Sequence, residues 1–299
     1  MSKTARSIVP RKTLQRLAQR RDLPGLIFLA VHMLAMVATG SLVAWSLGSA
    51  WLWPAMFIHG VLIVHLFAPF HEASHYTAFK SRWLNNATAW FTGLAVNLPP
   101  THFRLEHRAH HAFTQDPAKD PELIPQTRSK RGIVWYATCI PYFQAAISSL
   151  IRHPFGLLNE TEKTFIPESQ TRKVVRDARI MWAVYLAIAL ISVALQSYAA
   201  LIYWLIPRVI AEPVMRIIRM AEHGAMPYVP DMLKNTRTVK SLLPIRLLGW
   251  NMAYHAEHHN LPAVPFFALP QLHESLKNDI NEVREGYIET QIHVIKEAA

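Results

Sequence analysis

Eight of the sixteen histidines in this 299-residue chain fall into three tight clusters. His71-Glu72-Ala73-Ser74-His75 places two imidazoles at i and i+4, on one face of a helix and one turn apart. His107-Arg108-Ala109-His110-His111 and His255-Ala256-Glu257-His258-His259 each place imidazoles at i, i+3 and i+4. Neighbouring helical positions diverge by about 100°, so His110 and His111 can face different metal ions while His107 sits near both. The chemistry such a set performs is metal binding, since a neutral imidazole offers a ring nitrogen to an ion. Cys139 is the sole cysteine, which excludes a disulfide framework and a thiolate-built zinc or iron–sulfur site. Eight imidazoles without thiolate suit iron, copper, zinc or nickel on ligand type alone.

Taken alone, HEASH also fits the HExxH pattern of zinc hydrolases, in which Glu72 would activate a metal-bound water. An intramembrane zinc protease needs only one further ligand, whereas the other two clusters supply six more imidazoles. That excess favours a dinuclear centre. A histidine-lined metal transporter would place its ligands inside apolar runs, and these clusters stand where such runs stop. His32, His59, His65, His102, His153, His273 and His293 lie outside the clusters and read as packed or surface histidines.

The elements that carry the clusters are membrane spans. The chain is 51% apolar with nine tryptophans, and its formal charge of +11 gathers beside apolar runs, as in cytoplasmic flanks rather than a nucleic-acid surface. Residues 1–24 are basic through Lys3, Arg6, Arg11, Lys12, Arg16, Arg20 and Arg21, which points this segment to the cytoplasm. Residues 25–48 carry no charge and are long enough to cross about 30 Å of hydrocarbon, which reads as an uncleaved anchor. A second run, 51–70, returns and completes a first hairpin over 25–70 that delivers His71 to the cytoplasmic face.

Residues 71–179 hold the first two clusters among basic residues. Within them, 87–100 is a short apolar stretch suited to an interfacial or re-entrant piece, and 132–150 reads as an amphipathic interfacial helix. Residues 180–207 are again uncharged. For the clusters on either side to share one site, the chain must cross an even number of times, which predicts a second hairpin over 180–220 turning near Gln196-Ser197. Residues 221–299 return to the cytoplasm, ending in a charged soluble helix after Pro270. The reading is a single all-α integral membrane domain over 1–299. It has about four transmembrane helices in two hairpins, interfacial helices and a cytoplasmic histidine-rich metal-binding cap, with both termini cytoplasmic.

HEASH, HRAHH and HAEHH resemble the three histidine boxes, HxxxH, HxxHH and HxxHH, of the membrane fatty acid desaturase family, in that family's order and at similar separations. The resemblance extends through LNNATAWFTGL, HFRLEHRAHHAFTQDPAKDPE and NMAYHAEHHNLPAVPFFALPQLH, about a third of the chain. It implies two iron ions held by His71, His75, His107, His110, His111, His255, His258 and His259. His223, in RMAEHG, resembles the extra histidine ligand placed between the last span and the third box. Asn251, one turn before His255, is implied to hold a metal-bound water or to orient a ligand.

Carboxylates that accept the free ring N–H of a ligating histidine raise its basicity, and Glu72, Glu106, Asp116, Asp120, Glu222 and Glu257 stand near the boxes. The activity implied is oxidation by dioxygen, with electrons from a separate ferredoxin- or cytochrome-type donor, of a fatty acyl or lipid chain. Loss of two hydrogens gives a double bond. A hydroxylase or ketolase of the same scaffold, acting on an alkane, carotenoid or sphingoid chain, is the alternative. Trp90, Phe91 and Phe103 are expected either to line the substrate path or to belong to an interfacial aromatic belt. His153-Pro154-Phe155-Gly156 is a faint likeness to a cytochrome b5 haem motif and lacks its second glycine.

Overall fold

A computed structural model of the chain describes residues 5–299; Lys3 of the basic N-terminal segment lies outside them. Among the described residues, three helical stretches are long and apolar enough to cross a membrane: Asp22–Trp45, Leu52–Ser74 and Glu168–Ala194. Helix α1 (Asp22–Trp45) exposes Leu34 and Val37 by about two thirds of their surface. No described element covers that face, and hydrocarbon is the solvent it suits. Its first turn is tied down by chemistry, because the Asp22 carboxylate accepts from both the amide and the hydroxyl of Ser81, at 2.8 and 2.7 Å. A Cβ on Gly25 would sit 2.3 Å from the carbonyl oxygen of Ala78, so α1 docks backbone-close onto the loop after the first box.

Helix α2 (Leu52–His65) passes through Leu66 into α3 (Phe67–Ser74), and together they bring the first box in from the span. Two histidines inside these spans find backbone and side-chain partners, as polar groups in hydrocarbon need. His32 Nε2 lies 2.9 Å from the Leu62 carbonyl, and His59 bridges the Thr39 hydroxyl at 2.8 Å and the Tyr203 carbonyl at 3.1 Å. These histidines stitch helices together, in keeping with their expected packing role.

Most of the stretch expected as an interfacial piece over 87–100 lies on an amphipathic helix with earlier bounds, α4 (Arg82–Val96), packed along α3. Asn97 ends it in the left-handed conformation, φ +60°, which asparagine tolerates better than most residues. Pro100 then opens α5 (Pro100–Phe113), the helix of the second box, at the first-turn position where a missing N–H costs nothing. Residues 132–150 do not make one helix. The chain breaks at Cys139, φ +63°, into a helix over Lys130–Ala137 and α6 (Ile140–Arg152), with Pro141 in the first turn of the second. Helix α6 has no fully buried residue and turns Ile140, Ile147 and Ile151 outward.

Helix α7 (Glu168–Ala194) is the third apolar span. The chain reverses at Gln196, φ +49°, makes one wide helical turn over Leu201–Leu205 and continues as α8 (Ile206–His223). Helix α8 packs along α2 rather than against α7. A Cβ on Gly60 of α2 would lie 2.0 Å from the Pro207 carbonyl, which fixes how closely the two helices approach. Helix α8 buries a run of charge, Arg208, Glu212 and Arg216, linked in series at 3.4 and 2.7 Å.

The C-terminal part departs most from expectation. The third box lies on α9 (His255–Asn260), and in place of one charged helix after Pro270 there are two, α10 (Leu269–Leu276) and α11 (Tyr287–Glu297). A two-stranded parallel sheet joins β1 (Thr238–Lys240) to β2 (Val283–Glu285). The core sits between this region and the first box, where Trp250 packs on Phe266 at 4.5 Å and Phe28 of α1 on Phe266 at 4.9 Å. That aromatic plug holds the third box against the other two.

Candidate metal centre

The three boxes start from local helical spacing and meet in space. His71, His75, His107, His111 and His258 offer ring nitrogens that all lie within 4.8 Å of one another, and His110, His223 and His259 form a second such group. His255 joins the second group, its Nε2 2.7 Å from that of His223. In the first group, the Nε2 of His111 lies 3.0 Å from that of His107 and 3.1 Å from that of His258. Adjacent histidines part as a helix dictates, with His111 and His258 in one group and His110 and His259 in the other. The structure thus brings together all eight box histidines and His223.

Every one of these rings is buried except His75, which is partly so. Burial, reinforced by the neighbouring imidazoles, pushes His75, His111, His258 and His259 well below the ordinary histidine pKa. They are neutral, as ligands must be. Nε2 of His71, His75, His110 and His259 has no hydrogen-bond partner, a costly arrangement for buried polar atoms unless something else satisfies them. Converging, neutral, unpartnered nitrogens fit a pair of metal ions.

On three of the rings the opposite nitrogen is held by oxygen. His107 Nδ1 donates to Glu122 at 2.7 Å, and His110 Nδ1 to Asp120 at 2.8 Å. The Thr114 hydroxyl donates to the His110 carbonyl at 2.6 Å and so accepts from His259 Nδ1 at 3.1 Å. Each bond fixes the tautomer that leaves Nε2 free to face inward. Glu122 also pairs with Arg219 of α8 at 2.8 Å. Burial alone would raise the Glu122 carboxyl, but His107 and Arg219 outweigh it and keep it ionised. Glu72 Oε1 lies 3.8 Å from Nδ1 of both His71 and His258, behind the rings. Its other oxygen accepts from Thr77 and the Phe266 amide. From there Glu72 cannot serve as the water-activating carboxylate of an HExxH hydrolase.

Other sequence candidates fall elsewhere. Glu257 is fully buried and bonds Thr238, at 2.6 Å, and His273 rather than a box imidazole. Asn251 is not on a helix leading to His255; it lies in a left-handed turn, φ +56°, donating to the Phe266 carbonyl at 3.2 Å and accepting from Arg246 at 3.1 Å. Asp116 accepts from the Ala118 amide and shapes a turn. Glu106 lies 3.8 Å from His102, outside both groups, and burial together with Glu122 pushes its carboxyl up to about 8. Glu222 stands 3.8 Å from His255. Phe103 stacks on His107 at 5.0 Å, whereas Phe91 is exposed on α4. Glu122, Thr114 and Arg219 were not singled out in the sequence; the visible hint was Asp120-Pro121-Glu122, where the second carboxylate follows the first by two.

The Fatty acid desaturase family pattern matches residues 51–291. Among curated proteins, the chain is 26% identical over 242 residues to dihydrorhizobitoxine desaturase of Bradyrhizobium elkanii, covering 74% of this chain and 66% of that protein. It is 27% identical over 248 residues to the sphingolipid delta(4)-desaturase/C4-monooxygenase DES2 of Rattus norvegicus, covering 80% of this chain and 71% of that one. The sphingolipid delta(4)-desaturase DES1 of Drosophila melanogaster is 28% identical over 251 residues with the same coverage. With its histidine groups, apolar spans and a match across most of its length, the chain belongs to the fatty acid desaturase family of oxidoreductases.

Proposed function

We propose that this protein is a dioxygen-dependent desaturase that introduces a double bond into a fatty acyl or lipid chain at a two-iron centre, with electrons from a separate ferredoxin- or cytochrome-type donor. The observation that carries the reading is the division of nine imidazoles into two converging groups, backed by Glu122, Asp120 and Thr114. His71, His75, His107, His111 and His258 would hold one ion, and His110, His223, His255 and His259 the other. Bound iron would supply dioxygen activation and the oxidising power to break an unactivated C–H bond. The protein's own contribution is orientation: Nδ1 contacts hold the rings of His107, His110 and His259, and the burial of the centre keeps bulk water from the reacting carbon.

The same reading places the helices in two membrane hairpins, with α8 and the wide turn before it as the fourth crossing. The boxes and both termini then lie on the cytoplasmic side. Basic residues between 76 and 131 would face an acidic electron donor. A second reading, hydroxylation, draws on the double name of the rat relative, desaturase and C4-monooxygenase. Mass analysis of lipids from cells expressing the protein separates the two. Loss of two hydrogens identifies desaturation and gain of one oxygen identifies hydroxylation; unchanged lipids with iron-loaded protein and a working donor would contradict both.

A further inference from the structure

Helix α11 has two apolar faces, and the chain covers one of them. Thr290 and Val294 are fully buried, whereas Ile288, Ile292 and Ile295 are exposed by 80%, 49% and 43% of their surface. At about 100° per residue, positions 288, 292 and 295 form a single stripe along the helix, well away from the buried face. No described element covers that stripe. A neighbouring segment repeats the pattern. Leu242 and Leu243 are exposed by 74% and 61%, and Ile245 lines the same narrow slot as Tyr287, the first residue of α11.

What adjoins the stripe identifies its solvent. Val209 and Ile217, at i and i+8, are exposed on the side of α8 turned away from α2, opposite the Pro207 and Ala211 that meet Gly60. The Gln291 side chain donates to the Ile217 carbonyl at 2.7 Å, so α11 joins α8 at the end of that exposed apolar side. Around α11, Gln291 lies on one flank of the isoleucine stripe, and Glu289 and Lys296 lie on the other. The stripe therefore continues the apolar surface of α8, and its far edge is charged. That sequence of faces is the one an interfacial helix presents to a bilayer.

Resting on the reading of α8 as a membrane crossing, we infer that α11 binds the lipid surface, its isoleucine stripe sunk about 5–10 Å into the boundary between headgroups and acyl chains. A second copy of the chain on this stripe would have to cover the exposed side of α8 that runs into it as well, which the bilayer does without further contacts. The anchor reaches the metal centre in two ways. Strand β2 leads into α11 and pairs with β1, whose Thr238 hydroxyl donates to Glu257 on the third-box helix at 2.6 Å. Tyr287 lines the slot beside the ligands His71 and His255. The bilayer thus holds the part of the chain that positions the third box.

Spin labels on the full chain in phosphatidylcholine nanodiscs test this, attached in turn to Ile292→Cys, Val209→Cys and Lys277→Cys in a Cys139→Ser background. Collision with dioxygen, which concentrates in hydrocarbon, is compared with collision with a water-soluble nickel chelate. The ratio should be several-fold higher at positions 292 and 209 than at 277, beside α10, where the lysine is exposed. A low ratio at 292 with a high one at 209 would overturn the anchor and keep the crossing, and low ratios at both would overturn both. A label at 292 shielded from both reagents would mean that a second copy covers the stripe, and would also overturn the inference. Ile292→Trp keeps the native cysteine. Brominated acyl chains should quench its added fluorescence, and no quenching beyond that of wild type would refute the anchor even if the labelled variants failed to fold.

Discussion

Two buried clusters of histidine and carboxylate lie along α5, and they are built in opposite ways. In the nine-histidine centre the carboxylates stand behind the rings, Glu122 on His107 and Asp120 on His110, and the Nε2 atoms of His107, His111 and His258 face one another. In the other cluster, His102, His153 and Glu162 also bring three ligand atoms within 4.8 Å. There the carboxylate is in the middle. Glu162 takes a fork from Arg152 at 2.7 and 2.8 Å, a bond from His153 at 3.0 Å and the Asn159 amide at 2.7 Å. Its negative charge is already matched by a guanidinium, so a cation gains little by arriving. Three ligating atoms in reach do not make a metal site; the direction in which the carboxylates are spent decides it.

The largest expected effect breaks the first cluster. His110→Ala with His258→Ala removes one ligand from each group and should abolish both metal binding and lipid oxidation, read by metal analysis and product mass. Next come the oxygen partners. Glu122→Gln and Asp120→Asn keep the shape but not the charge that anchors the rings, and each should cost about 10–100-fold in metal affinity or activity. Glu162→Gln should cost neither, since its charge serves Arg152.

A smaller effect belongs to stability. Glu162→Ala removes the carboxylate that Arg152 and His153 share and should lower the unfolding free energy by about 1–3 kcal/mol, measured by thermal melting in detergent. The pH dependence has a definite sign. Burial alone would raise the Glu162 carboxyl, but Arg152 and His153 outweigh it and hold it well below its ordinary 4.5. Its stabilisation is therefore present above about pH 4.5 and is lost as the pH falls below that. Wild type should lose stability in acid more steeply than Glu162→Gln; parallel curves would sink the assignment.

The boxes were legible in sequence because i, i+3 and i+4 spacing is a property of a single helix, and because neighbouring histidines must diverge around it. His223 was found through the family resemblance, since one histidine in RMAEHG has no periodic signal of its own. What stayed hidden was whatever the chain brings from elsewhere. Arg219 reaches Glu122 from α8, and Thr114 meets His259 from the far end of α5. The pairing of β1 with β2 depends likewise on contacts between distant segments, whereas the break at Cys139 has a local signal in Pro141. Asn251 was misplaced for a related reason: Trp250 fills the aromatic core and takes its own left-handed turn, φ +50°, just ahead of the third box.

Metal content of anaerobically purified, detergent-solubilised protein tests the central claim most directly, for wild type, His110→Ala/His258→Ala and His102→Ala/His153→Ala. About two irons per chain in wild type, kept in the His102/His153 variant and lost in the His110/His258 variant, is the expected result. A single zinc, or metal retained when His110 and His258 are gone, would contradict it.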